Sequence, residues 1–260
     1  MNTTTRHYEE HLQRDIDLIR KKIGAMAGLA DRALRDSLEA LVHNNLTLAY
    51  SVILRDQYID ELEKELDRLC LEFLVRQQPV AGHLRFAYAT IKINLELERI
   101  GDYAESIARQ VLKVSSIHER IPVAAFSELA NVSIPMLRNS VKAFVEQDAA
   151  LARSAMDDED KADGLRTKLD AELLRLHQEG QIPLSALNPL QTIARRFERV
   201  ADQGKLVRQQ LLPRQLINRR ENLPLGQITA GSEQNNRTGR RRWHGCPFAE
   251  GRLPTQKPHN

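Results

Sequence analysis

Cysteine is nearly absent: Cys70 and Cys246 are the only two in 260 residues, and neither has a CxxC partner or a histidine at metal spacing. That excludes a disulfide scaffold and a cysteine-held zinc, and it fits a reducing cytosol. Aromatic residues make up only 5% of the chain, so Leu, Ile, Val and Ala must fill the interior. No stretch approaches 18 consecutive apolar residues, which argues against a spanning helix, and residues 1–8 lack the apolar run of a signal peptide. Alternating β-branched runs bounded by turns are missing before residue 212. So are a P-loop, a GxGxxG, an HExxH and a Ser-His-Asp order. No nucleophile stands beside a base.

Glycine and proline are also sparse before Pro213; from that residue to the end lie ten of the chain's 22. The same final segment holds nine Lys/Arg against three Asp/Glu, a net of +6. The formal charge of the whole chain is +3, so residues 1–212 carry −3 and give no composition argument for nucleic acid. Residues 213–260, with Arg240-Arg241-Arg242-Trp243, cannot bury a periodic apolar face and are expected to be a disordered, solvated tail. Phosphates or a membrane surface are the alternative contacts for its basic run.

What the chain does have is helical period. Leu12, Ile16, Ile19, Ile23, Met26, Ala30, Leu34, Leu38 and Leu41 recur at threes and fours. Thr4 or Thr5 would cap that helix. His43-Asn44-Asn45 interrupts the pattern, a second helix is expected over 46–76, and Gln77-Gln78-Pro79-Val80-Ala81-Gly82 ends it. A third helix follows with the seam Ile93, Leu97, Ile100, Ala104, Ile107 and Val111. Then the pattern begins again. At an offset of 103, Leu34-Arg35-Asp36-Ser37 falls on Leu137-Arg138-Asn139-Ser140; at an offset of 100 the third seam becomes Ile193, Phe197, Val200, Gly204, Val207 and Leu211. The expected fold is all-α: tandem three-helix bundles over 6–117 and 118–212, six helices in all, with 213–260 as a tail.

The repeat carries carboxylates at fixed places. The second helices hold Asp56 and Asp60, then Glu159 and Asp163; the third helices hold Glu98 and Asp102, then Glu198 and Asp202. Residues four apart stack on one helix face about 6 Å apart, and like charges there repel. Each ridge lies one position from the apolar seam, so two ridges can face each other along a groove at the bundle's rim. Four carboxylates without His or Cys form a hard oxygen set for Mg²⁺, Mn²⁺ or Ca²⁺, with iron also possible. The plain alternative is a set of exposed acids paired with Arg55, Lys64, Arg99 or Arg199. Arg35 and Arg138 occupy matched sites suited to packing or an ion pair, and His83 at a helix start is read as a surface residue.

With Leu97-Glu98-Arg99-Ile100-Gly101-Asp102, Phe197-Glu198-Arg199-Val200-Ala201-Asp202 and Asp56-Gln57-Tyr58-Ile59-Asp60 in view, the chain resembles the PhoU family over roughly residues 6–212. The resemblance implies two symmetric three-helix bundles whose acidic motifs bind clusters of iron, zinc, Mg²⁺ or Mn²⁺. By position the ligands would be Asp56, Asp60, Glu98 and Asp102 in one site, and Glu159, Asp163, Glu198 and Asp202 in the other. It further implies a cytoplasmic homodimer that negatively regulates phosphate uptake and starvation signalling. Such a protein couples a phosphate ABC transporter to a sensor histidine kinase, touches the membrane only peripherally and binds no nucleic acid directly. Departures are His83 in place of Asp, Tyr103 and Gln203 after the motif aspartates, and Gly164 inside a helix. Arg195, Arg196 and Arg199 crowd the second ridge, which is expected to be the weaker site. Two other readings compete: a helical scaffold with solvated ridges, and a carboxylate-bridged metalloenzyme, which would need Glu-x-x-His pairs that this chain lacks.

Overall fold

Apolar residues at threes and fours, with few interior breakers, make long helices, and long helices need a partner face. A computed structural model of the chain describes residues 3–148, 150–151 and 159–210. The helices are α1 (Thr3–Val42), α2 (Leu46–Arg55), α3 (Gln57–Gln77), α4 (Ala81–Val114), α5 (Val123–Glu146), α6 (Glu159–Gln178) and α7 (Leu184–Gln209). A 3₁₀ turn, Ser115–Arg120, follows α4. The described residues contain no strand. Counting α2 and α3 as halves of one helix, the described residues form the six helices expected.

Two local details differ from expectation. α1 is already helical at Thr3, so Thr4 and Thr5 lie inside it instead of capping it. The helix expected over 46–76 has a seam at Asp56, which keeps helical angles (φ −57°, ψ −36°) but separates α2 from α3. Pro135 sits within α5, where its missing N–H leaves one carbonyl without its usual donor. Elsewhere the ends follow the residues. Asn45 caps α2 by accepting from Leu48 N at 3.0 Å, and Gln78, left-handed at φ 41°, closes α3 by donating to Leu74 O at 3.2 Å.

The seams read from the periodicity are the buried ones. Ile93, Leu97, Ile100, Ala104 and Ile107 are buried in α4, as are Ile193, Phe197, Val200, Gly204 and Val207 in α7. Leu211 and the tail lie outside the described residues. Matched serines, Ser37 and Ser140, are both buried and donate to carbonyls one turn back (2.8 and 2.7 Å). The repeats also pack on each other: α1 lies against α5 and α4 against α7, and one continuous core serves both. At that junction a Cβ on Gly204 would come 3.1 Å from Leu137 N and 3.2 Å from Met136 C, so glycine lets α7 lie on the α5 backbone. Beside it, Arg138 donates to Asp31 Oδ1 through Nε (3.0 Å) and a terminal nitrogen (2.8 Å), and Arg35 reaches Asp31 Oδ2 at 2.8 Å. The matched arginines thus meet on one buried carboxylate.

Candidate metal-binding groove

α3 and α4 run antiparallel, and a buried amide sets their register. Asn94 Nδ2 donates to Glu63 O (2.9 Å) and to Asp67 Oδ1 (3.1 Å) across the helices. Further along, Gly101 lets them close: a Cβ there would meet Asp56 Oδ1 at 2.8 Å and Ile59 at 3.0 and 3.2 Å. That contact holds the Asp56 carboxylate on the α4 backbone. Asp60, Glu98 and Glu105 stand half-buried beside it, and Asp102 lies exposed at the mouth.

Electrostatics show that these acids feel one another. Asp56 is pushed from 3.8 up to about 7, first by burial and then by Asp60, Glu105, Asp102 and Glu98. All five raise it, while Arg109 on the rim is close enough to feel the Asp56 charge. Glu98 is raised by burial, Asp102, Asp60 and Glu63, against a small opposing pull from Arg99. Asp102 is raised by burial, Asp60 and Glu105, with Arg196 opposing. The arginines that could have neutralised the ridge are occupied elsewhere. Arg55 bonds Asp36 at 2.9 Å and Arg99 bonds Glu96 at 3.1 Å. Among the described residues, none of Asp56, Asp60, Glu98 and Asp102 takes part in a salt bridge. The nearest compensation is Arg109, which donates to Glu105 at 2.6 Å on the rim.

This donor set fits a hard cation: oxygen only, half-buried, and carrying more negative charge than its surroundings cancel. The side chains do not close on an ion, because no three described His, Cys, Asp or Glu groups are arranged to hold one. Asp56, Asp60, Glu98 and Asp102 are nevertheless brought together as the repeat required. Glu63 and Glu105 belong with them and were not singled out in the sequence, although a signal for them exists. Asp56, Asp60, Glu63 and Asp67 run at 4-3-4, and Glu98, Asp102, Glu105 at 4-3, which is one continuous ridge on each helix.

The second groove, between α6 and α7, is built alike but balanced differently. Asp163, Glu198 and Asp202 converge there; Glu159 begins α6, with its side chain outside the described residues. Glu198 is raised by burial, Asp202 and Asp163, while Arg166 and Arg199 pull it back. Arg166 stands where the first groove has Glu63 and also holds Asp170 at 2.9 Å. Tyr103 and Gln203, which depart from the family pattern, meet each other: Gln203 Nε2 donates to Tyr103 Oη at 3.4 Å, and the Arg196 guanidinium lies 5.0 Å from the Tyr103 ring. Gly164 has open space around it, and His83 is half-buried at the start of α4.

Comparison with known proteins agrees with this arrangement. The PhoU domain model matches residues 23–111 and again 126–207, one match per repeat. A phosphate-specific transport system accessory protein PhoU homolog of Zymomonas mobilis is 32% identical over 196 residues, covering 75% of this chain and 83% of that protein. One from Aquifex aeolicus is 31% identical over 188 residues, covering 72% and 85%. Among solved structures, PhoU from Pseudomonas aeruginosa superposes with a TM-score of 0.73 at 25% identity, over 77% of this chain and 96% of that one.

Proposed function

This chain belongs to the PhoU family, and on that premise we propose that it is a metal-binding adaptor of phosphate-specific transport. In this reading it works in the cytoplasm as a homodimer, negatively regulating phosphate uptake and phosphate-starvation signalling. Its partners would be a phosphate ABC transporter and a sensor histidine kinase. It acts by contact and not by catalysis, since the sequence pairs no nucleophile with a base.

The observation that carries the metal role is the excess of acid in the first groove, in which Asp56 sits among four other acids and is pushed up to about 7. A bound Mg²⁺, Mn²⁺ or iron ion would supply positive charge and cross-link α3 to α4. Asp60, Glu98 and Asp102 would reach it from opposite walls, with Asp56 held on Gly101 beneath. Asp163, Glu198 and Asp202 would form the second, weaker site. Loss of metal would release like charges on facing helices and loosen the wall that α3 and α4 form.

A scaffold that works without metal is favoured by one observation, the absence of any ready-made ligand cluster among the described residues. Elemental analysis of chain purified without chelator separates the two: about one or more metal equivalents in the native chain, lost in Asp60→Asn/Asp102→Asn, supports the adaptor. Equal metal in both proteins would leave the scaffold. The regulatory role is tested separately, in a deletion strain complemented with the full gene. A phosphate-starvation reporter should be silent in high phosphate, and a reporter that stays on would reject the role.

A further inference from the structure

The end of the α3–α4 hairpin carries five large apolar residues exposed to solvent. Val80 is 77% exposed, Val75 75%, Leu71 60%, Tyr88 59% and Leu84 49%. Their placement follows from the register already described. Asn94 lies level with Glu63 and Asp67, and Gly101 with Asp56 and Ile59. Carried toward the loop, this sets Tyr88 level with Leu71 and Leu84 level with Val75. Each of these residues follows its helix's inward-facing ridge by one position. In antiparallel helices that step turns both stripes to the same side of the hairpin. Val80, just before α4, completes the patch at the tip.

Charge distinguishes this tip further. From Phe73 to Leu95 there is no Asp or Glu, the longest acid-free run in the chain, and within it lie Arg76, His83, Arg85 and Lys92. Lys92 Nζ stands 5.8 Å over the Tyr88 ring, a cation beside an amphipathic aromatic. Two neighbouring acids are engaged: Glu72 accepts from Arg68 (2.6 Å) and Asp15 from Gln77 (2.8 Å). Glu9 and Glu10 belong to the start of α1, which Tyr8 ties to Gln77 O. The second repeat does not reproduce the tip. Leu174 and Leu184 remain exposed, but Gln178 replaces Val75, Asn188 replaces Tyr88, and Glu179 lies beside them.

We propose that the α3–α4 tip is a membrane-docking surface, which places Val75, Val80, Leu84 and Tyr88 in the headgroup region of an anionic bilayer with Arg76, Arg85 and Lys92 on the lipid phosphates. An exposed apolar tip with cations on it, built on a run that holds no acid from Phe73 to Leu95, matches the chemistry of such an interface. A groove on another protein would more often pair its rim with both signs of charge. The tip lies beyond the acidic groove along the same hairpin, so docking does not depend on metal and stands apart from the function proposed above.

The test is sedimentation of the full-length chain with vesicles of phosphatidylcholine alone or mixed with phosphatidylglycerol. Pelleting with the anionic vesicles, weakened by salt, is expected. Val75→Asp/Val80→Asp should lower the bound fraction about tenfold at unchanged melting temperature. The tail variant Arg240→Gln/Arg241→Gln/Arg242→Gln should still bind. Absence of pelleting with protein-free anionic vesicles, equal binding by the tip variant, or loss only in the tail variant would each overturn the proposal. Recruitment only to membranes that contain proteins would also overturn it and assign the tip to a protein partner. Should the Asp variant fail to fold, Tyr88→Trp in a Trp243→Phe background reads insertion directly. A blue shift with quenching by brominated lipid is expected, and an unchanged spectrum would refute the docking.

Discussion

Position for position, the two acidic grooves differ at two residues that decide their charge. The first sets Glu63 and Glu105 where the second sets Arg166 and Lys205. Six acids, Asp56, Asp60, Glu63, Glu98, Asp102 and Glu105, therefore become four acids and two bases on the same scaffold. The consequence is visible in the carboxylates themselves. Glu98 is raised by Asp102, Asp60 and Glu63 and pulled back by Arg99, whereas Glu198 is raised by Asp202 and Asp163 and pulled back by both Arg166 and Arg199. A groove with internal bases is already partly neutral, and an incoming cation gains less there. Duplication preserved the helices and the seams; exchange of two ridge residues separated the chemistry.

The sharpest way to break this comparison is to remove the first groove's ligands. Asp60→Asn/Asp102→Asn should lower metal affinity at least about tenfold in titration calorimetry, while Asp163→Asn/Asp202→Asn changes total loading less. Next, the difference can be transplanted. Arg166→Glu/Lys205→Glu should give the second groove an affinity about tenfold higher, and Glu63→Arg/Glu105→Lys should silence the first, read by the same titration.

The glycines offer a comparison in stability. Gly204→Ala should destabilise by about 1–3 kcal/mol in urea denaturation, because the atoms it meets at 3.1–3.3 Å are backbone and cannot move aside. Gly101→Ala meets the movable ends of Asp56 and Ile59, and alanine's better helix propensity offsets up to ~1 kcal/mol. Its stability should change little; its metal loading should fall, because Asp56 is displaced.

The smallest expected effect is on pH. Asp56 binds its proton more tightly folded (about 7) than unfolded (3.8), so between those values the folded state holds more proton. Metal-free stability should therefore be fully supported at low pH and decline as pH rises from about 4 to about 7. Allowing for the solvent that still reaches Asp56, the decline is about 1 kcal/mol. Asp56→Asn should flatten that slope in thermal melts across this window, and an equal slope in both proteins would remove Asp56 as its source.

Much of the architecture was legible in the residues. Threes and fours in the apolar pattern, breakers at 43–45 and 77–82, and the repeated seams are local features, and helix formation with one buried face depends on local spacing. The same holds for Asp56, Asp60, Glu98 and Asp102: residues four apart share a helix face whatever surrounds the helix. Glu63 and Glu105 were legible too, had the ridge been followed one more step.

What period cannot decide is which face meets which across a hundred residues. Only the packed structure joined α1 to α5 and α4 to α7 in one core, drew Arg35 and Arg138 onto Asp31, and set Gln203 on Tyr103. Only it lodged Asp56 against Gly101, because that approach depends on the distance between two helices and not on the pattern along either. The charge of each ridge is written in the sequence; how strongly its acids repel is set by how closely the helices pack and how much water they exclude.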